Sequence, residues 1–325
     1  MKGILNYLKL IIFLLMVIQE TPSMGQDDQP IIDLSDKFLA RIYTVTKLNS
    51  LEIENLRTDD VIQHLPNGGT NLGLGFNYKR LGLGIAVGLP RNSESQRKFG
   101  KTRRLDIQGS IYGKTIGGEA FLQHYKGYYN SNPEDFLDWN QDTRPQLPSM
   151  EVWSVGLVGF YIFNSKKYSY RAAFVKDEIQ NKSSGSFLAG IFGNLDESST
   201  DNGFIPEEYP DSIKVNVNVK KFSNIATGIS LGYAYNLIIR KKILAGIALL
   251  PGFGFQNTTY ETLSDERVNK NQAAAQLQVR AALGYEHKYF FINITGSVNW
   301  RSIELNPYNF NLSTEQFRLI LGKRF

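Results

Sequence analysis

Between Phe222 and Phe255 the chain reads FSNIATGISLGYAYNLIIRKKILAGIALLPGFGF. Its odd positions are Ile225, Thr227, Ile229, Leu231, Tyr233, Tyr235, Leu237 and Ile239, against Asn224, Ala226, Gly228, Ser230, Gly232, Ala234 and Asn236. A strand turns successive side chains to opposite sides, so a period of two means one face in an apolar medium and the other in a tight or wet space. After Arg240-Lys241-Lys242 the pattern resumes, with Ile243, Ala245, Ile247, Leu249, Phe253 and Phe255 opposite Gly246, Ala248, Gly252 and Gly254. Each arm reaches the roughly 9–11 tilted residues that a membrane-crossing strand needs, and the tyrosines near the turn stand where an aromatic girdle would sit.

The chain opens MKGILNYLKLIIFLLMVIQETPSMGQ. Lys2 and Lys9 precede an apolar core from Leu10 to Ile18, too short to span as a helix, and Ser23 and Gly25 fit the small-residue sites of a cut before Gln26. This predicts a signal peptide over 1–25, a periplasmic N-terminal stub over 26–37, and a barrel over 38–325. No later run is apolar enough for a membrane helix, so a membrane-embedded chain of this kind must close a sheet. At the far end FRLILGKRF places Phe317, Leu319, Leu321 and Phe325 on one face. A last strand closing in Phe resembles the signal read by the barrel-assembly machinery of Gram-negative outer membranes.

Composition narrows the function classes. With no Cys there is no disulfide framework, thiolate metal site or Cys nucleophile. The formal charge of +5, or +4 without Lys2, Lys9 and Glu20, is too small a surplus to argue for nucleic acid.

Taken in order, a strand near Phe38 to Glu54 carries Arg41 and Lys47, which leave its facing open. A loop through Pro66 to Gly69 leads into a hairpin with Leu72, Leu74, Phe76, Tyr78, Leu81, Leu83, Ile85, Val87 and Leu89 outward, turning at Lys79-Arg80. So many glycines on its inner face imply close packing or strong curvature. Pro90 to Arg104 is a basic loop suited either to lipopolysaccharide phosphates or to plain solvation. Strands follow at Leu105–Tyr112, Ile116–Tyr129, Val152–Phe163 and Tyr168–Val175. A strand-like Phe187–Phe192 then makes about thirteen, and single-chain barrels favour even numbers. Either Tyr168 to Asn194 is one kinked strand or another strand hides in Ile213–Val219. An acidic loop runs from Asp196 to Asp211, and a final hairpin joins Ala273–Tyr285 to Tyr289–Trp300. Short turns alternating with longer loops predict an all-β, transmembrane, antiparallel up-and-down barrel of about 12 strands, alternatively 14, with periplasmic turns and external loops.

No catalytic constellation stands out. His64 lies in a loop, His124 near a strand end and His287 in a turn; of these only His124 suits a base, and a barrel hydrolase would need it beside a nucleophile or carboxylate. Asp138-Trp139-Asn140-Gln141-Asp142 has the opening spacing of a calcium loop, but Thr143 and Ser149 replace its Gly and bidentate Glu, so no metal or other cofactor is assigned. The inward charges carry more. Arg171, Arg280, Arg301, Arg318, Asp106 and Glu119, with Gln278 on the same polar face as Arg280, point into the lumen, where they line either a pore or ligand site or a structural ion-pair network.

The run YSYRAAFVKDEIQNKSSGSFLAG and the following NIATGISLGYAYNLIIRKKILAGIALLPGFGFQ resemble the Bacteroidota family designated domain of unknown function 4421, most specifically at Arg171 to Phe174 and Ser183 to Ser186. The resemblance implies an outer-membrane barrel and supplies no activity. Three expectations follow: a channel or small-ligand transporter with a polar lumen, a barrel enzyme acting on membrane lipid, or a structural or adhesive barrel with a plugged lumen. The partners expected are outer-membrane lipid, lipopolysaccharide and, through Phe325, the assembly machinery.

Overall fold

The computed structural model describes residues 29–325 apart from 80, 90–91, 211–212, 214–216 and 306. The expected signal peptide and the first residues of the stub lie outside these. Twelve strands run up and down the wall: β2 (Leu39–Asn55), β4 (Thr70–Tyr78), β5 (Leu81–Gly88), β6 (Arg103–Tyr112), β7 (Ile116–Asn130), β8 (Gln146–Ile162), β10 (Ser184–Ser199), β11 (Lys221–Ile239), β12 (Ile243–Glu261), β13 (Arg267–Glu286), β14 (Phe290–Leu305) and β15 (Tyr308–Arg324). Three short strands accompany them: β1 (Ile31–Asp33), β3 (Val61–Pro66) and β9 (Glu178–Gln180).

The first and last long strands close the sheet, pairing from Leu39↔Arg324 to Asn55↔Tyr308. The hydrogen-bonded ring has ten members rather than about twelve, because β3 bridges β2 to β7 near the loops and short-circuits the wall there. Nearer the termini, β4 and β5 extend from the other half of β2, and β6 extends from β7. Among the described residues no ladder joins β5 to β6.

The alternation does what the sequence implied. Leu74, Leu83, Ile85, Ile111, Phe187, Ile229, Leu231, Phe253 and Phe255 are each at least three-fifths exposed on the outer face, while Ala226, Ala234, Ala248 and Asn236 are buried inside. Such a continuous apolar exterior on a closed antiparallel sheet is a lipid-facing surface, since closure satisfies the backbone without water. Outward Asn269, Asn271 and Asn257 lie beyond this belt, at the loop end. At the opposite, terminal end, the β11–β12 turn holds Arg240 and Lys241 at positive φ of 52° and 56°, the backbone a tight twisted hairpin needs. Within this hairpin Gly254 cannot be enlarged: a Cβ there would lie 2.0 Å from the Thr227 carbonyl oxygen and 2.5 Å from Gly228 Cα.

Several expectations need correction. Tyr168 to Val175 is not a strand: Tyr170–Phe174 is a short helix, with the Ser169 side chain accepting from the Ala172 amide at 2.9 Å and Lys176 leaving it at a φ of 75°. Tyr170 and Phe174, one turn apart, pack with tilted rings 4.6 Å apart, so residues that also fit an alternating pattern pack as a helix. Ile213 and Val217–Val219 form no strand; Val217 and Val219 join Phe204, Ile205 and Tyr209 in an apolar cap over the loop end. Asp196 begins no loop, because β10 continues to Ser199, where it pairs with Lys221 and Glu151. The loop before β4 contains β3, and the stub contributes β1, paired with β9. The basic loop contains a helix, Ser93–Phe99, and β6 begins at Arg103 rather than at Leu105.

The belt makes a quantitative claim. Ile229→Arg, in mid-belt, is expected to lower unfolding stability in lipid vesicles by about 2–4 kcal/mol, and Asn269→Arg, beyond it, by at most about 1 kcal/mol. Urea titrations of the two variants showing equal losses would be incompatible with this placement of the membrane.

Candidate functional site

The inward charges resolve into three clusters. Glu119 on β7 pairs with Arg280 on β13, and accepts from the Tyr112 hydroxyl at 2.6 Å and the Gln278 amide at 2.9 Å. Arg301 on β14 forks onto Asp196, its Nη2 and Nε 3.0 and 3.1 Å from the two carboxylate oxygens, with Ser154 donating to the same carboxylate at 2.6 Å. Asp106 on β6 takes the Lys47 ammonium at 2.7 Å, the Tyr125 hydroxyl at 2.6 Å and the Gln123 amide at 3.1 Å. The voids beside the first two clusters are small, about 90 Å3 by Glu119 and Arg280 and about 20 Å3 by Arg301. These groups tie opposite walls together across the lumen.

Arg171 is placed differently. It belongs to the helix Tyr170–Phe174, is buried, and pairs with Asp177, with Glu178 3.7 Å from its Nε. This helix plugs the terminal end. Asn236 donates to the Ser169 carbonyl at 2.8 Å and Asn293 to the Ala173 carbonyl at 3.1 Å. Lys176 meets Glu286 at 2.7 Å, and Arg324 holds both Glu286 and the Lys176 carbonyl. At the loop end the lumen is closed by an apolar cluster in which Phe204 packs against Phe222 and Phe310, with ring centroids 5.8 and 5.4 Å apart.

A larger space lies to one side. A cavity of about 540 Å3 lies behind the gap between β5 and β6 and is lined by Arg41, Lys47, Arg104 and Arg318 against a single carboxylate, Asp106. Its size is that of a small-molecule site. Arg104 donates to Asn71 at 2.6 Å, whereas the buried Arg318 Nε has no hydrogen-bond partner. The glycine face of the first hairpin explains the room: Gly73 and Gly84 lie flat against the Tyr43 ring and Gly75 against Arg41, holding both side chains to the wall. Arg41 and Lys47 therefore face inward, which their positions in a mixed strand left open. Arg104, whose place in a basic run suggested the surface, also turns inward.

The histidines do not assemble a catalytic site. His124 is on the outer face, stacked on Trp153 at 4.0 Å with Glu151 2.8 Å from Nε2. His287 stacks on Phe290 at a turn, and His64 is on β3 rather than in a loop. Among the described residues no group of His, Asp or Glu is arranged to hold a metal ion. Asp142 instead accepts from Arg97 and Lys98, which hold its carboxyl below the usual carboxylate range.

Residues 31–325 match the family described as Domain of unknown function (DUF4421). The chain belongs to this family. No curated protein matches this family member in sequence. Among solved structures it is similar to the outer membrane protease OmpT from Escherichia coli, at 8% identity over 90% of this chain and 98% of that one, with a TM-score of 0.40. It is also similar to the toluene transporter TodX of Pseudomonas putida (7%, covering 89% and 90%, TM-score 0.26) and to Ail, the attachment invasion locus protein of Yersinia pestis (12%, covering 65% and 97%, TM-score 0.20). At such scores these likenesses carry no argument, and the reading of this family member rests on its own geometry.

Two expected outcomes follow from the buried groups. Arg280→Met should destabilise the barrel by about 3–5 kcal/mol by stranding Glu119, and adding Glu119→Leu should recover most of that loss in the same urea titration. His64 is fully buried beside the Phe204 main chain, and burial pushes its imidazole down to about 4. A depressed histidine contributes stability that is complete above the unfolded value near 6.5 and is lost as pH falls toward 4, about 3 kcal/mol by that point. Hydrogen exchange at Phe204 and Val219 should accelerate over that window beyond the intrinsic rate, and His64→Leu should abolish the acceleration.

Proposed function

We propose that this chain is an outer-membrane barrel that admits a small ligand into a cavity in its wall, and that it is not an axial pore. The observation that carries this is the cavity of about 540 Å3 behind the β5–β6 gap, in a barrel whose axis is closed by an apolar cap at one end and a helix at the other. The arginines expected to line a conduction path, Arg280 and Arg301, are each engaged with a carboxylate. In this reading the terminal end faces the periplasm and the loops face outward. The exposed Phe325, directly after β15, is the residue the assembly machinery would read. Lys101 and Arg103, exposed at the loop end, are the basic-loop residues available to lipopolysaccharide phosphates.

The same closure also favours a structural barrel whose loops do the work, and one experiment separates the two. In planar bilayers the refolded chain is expected to give no steady conductance. A chain in which Asn236→Ala, Asn293→Ala and Glu286→Gln release the helix should conduct in bursts. Steady wild-type conductance altered by Arg280→Ala would reinstate the axial pore, whereas silence in both chains, together with an inert cavity, would leave the structural reading.

A further inference from the structure

The β5–β6 gap lies within the lipid-facing belt, and this sets the chemistry of what enters. Ile85, Leu105 and Ile107 line the cavity and are also 77%, 43% and 56% exposed on the outer face, so the mouth is apolar and opens toward hydrocarbon. A few residues inward the lining is cationic, with Arg41, Lys47, Arg104 and Arg318 facing the lone Asp106. Asp106 is already occupied by Lys47, Tyr125 and Gln123, so the three arginines have no free carboxylate in the cavity. The buried Nε of Arg318 has no acceptor. Guanidinium groups held out of bulk water need an anion, and their planar forks match a phosphate or carboxylate.

We propose that the β5–β6 seam is a lateral portal, and that the cavity behind it holds the acidic head of a single amphiphile drawn from the bilayer, with its acyl chain remaining between Ile85 and Ile107. This deepens the wall-cavity reading and depends on it. The arginines Arg41, Arg104 and Arg318 grip the phosphate or carboxylate. An uncharged amphiphile would enter the apolar mouth but leave the arginines unpaired, and an inorganic anion would pair with them but gain nothing from the mouth.

The test uses the full chain in phosphatidylcholine nanodiscs with labelled lysophosphatidate, oleate, monoacylglycerol and inorganic phosphate as separate probes. Because the sequence contains no cysteine, Ile85→Cys with Ile107→Cys can be bridged by a bismaleimide without side reactions. An acidic amphiphile should bind with one equivalent per barrel. Arg104→Gln with Arg318→Gln should weaken it by about thirtyfold or more, the low end for removing one partner of a desolvated charge pair. Bridging the seam should slow entry and exit by about tenfold or more while heat-modifiable gel mobility still reports a folded barrel. Arg104→Lys with Arg318→Lys, which keeps the charge and loses the fork, should restore part of the affinity. Equal binding of monoacylglycerol would overturn the acidic head while leaving the cavity reading intact. Binding of inorganic phosphate as tight as lysophosphatidate, indifferent to the bridge, would overturn the lateral route. No probe binding in any chain would overturn both this inference and the wall cavity.

Discussion

Hydrocarbon offers no hydrogen bonds to a backbone, so every amide of a membrane-spanning wall must find its partner in the sheet or in water held by the protein. From β7 round to β2 this chain meets that demand with antiparallel ladders interrupted only by a bulge between Lys126 and Tyr128 and by a gap beside Pro251. Among the described residues it does not meet it between β5 and β6, whose inner partners are β4 and β7 and whose other edges face each other across a cavity. An open edge at membrane depth is tolerable only where it borders a polar, hydrated space. The charged lining behind the seam and the missing ladder are thus two aspects of one feature.

The interior charges divide by the same reasoning. A buried ion costs several kcal/mol unless it is paired and its remaining hydrogen bonds are met. Glu119 with Arg280, and Asp196 with Arg301, are each paired and recruit Tyr112, Gln278 and Ser154, although the Arg280 Nε has no acceptor, and their small surrounding voids leave no room for a path. The Arg318 Nε also lacks an acceptor, and Arg318 lines the cavity of about 540 Å3, whose single carboxylate is held by Lys47. A carboxylate in contact marks the arginines that hold the walls together. Guanidinium groups facing a cavity whose carboxylate is already taken mark the place where a further group would be welcome.

Much of this was legible in the sequence, and the exceptions have physical causes. Alternation from Ile225 to Phe255 fixes facing because a strand has no other way to sort greasy from small side chains, so the belt and the inward Glu119, Gln278, Arg280 and Arg301 could be read directly. The helix at Tyr170 could not, because five residues contain too few turns for a period of 3.6 to be told from a period of 2. Nor could the ring size. β3 is six residues long and contains Pro66 and His64, and its role as a bridge depends on partners at Leu51 and Tyr129 that are distant in sequence. The cationic cavity was hidden for a related reason: Arg41, Lys47, Arg104 and Arg318 come from three strands, and only closure of β2 against β15 brings them to one place.

The two closures of the lumen differ in kind, and the difference bears on how the cavity communicates. The cap at the loop end is an apolar cluster with contributions from β2, β7, β8, β11, β14 and β15, so opening it would expose Phe204, Phe222 and Phe310 together. The helix at the terminal end is five residues long; its buried Tyr170 packs against Tyr112 and Phe160, Ala172 and Ala173 are buried beside Leu244, and it is also held by amide and ion-pair contacts from Asn236, Asn293, Glu286 and Arg324. Water can replace those polar contacts at little net cost, whereas it cannot replace the burial of Phe204, Phe222 and Phe310 in the cap or of Tyr170 at the helix. Phe174, the last residue of this helix, lines both the side cavity and the smaller void by Arg280. Both closures thus border the space a ligand would fill, Phe174 from the helix and Tyr125 from the cap, and the helix is the one with the larger share of polar contacts.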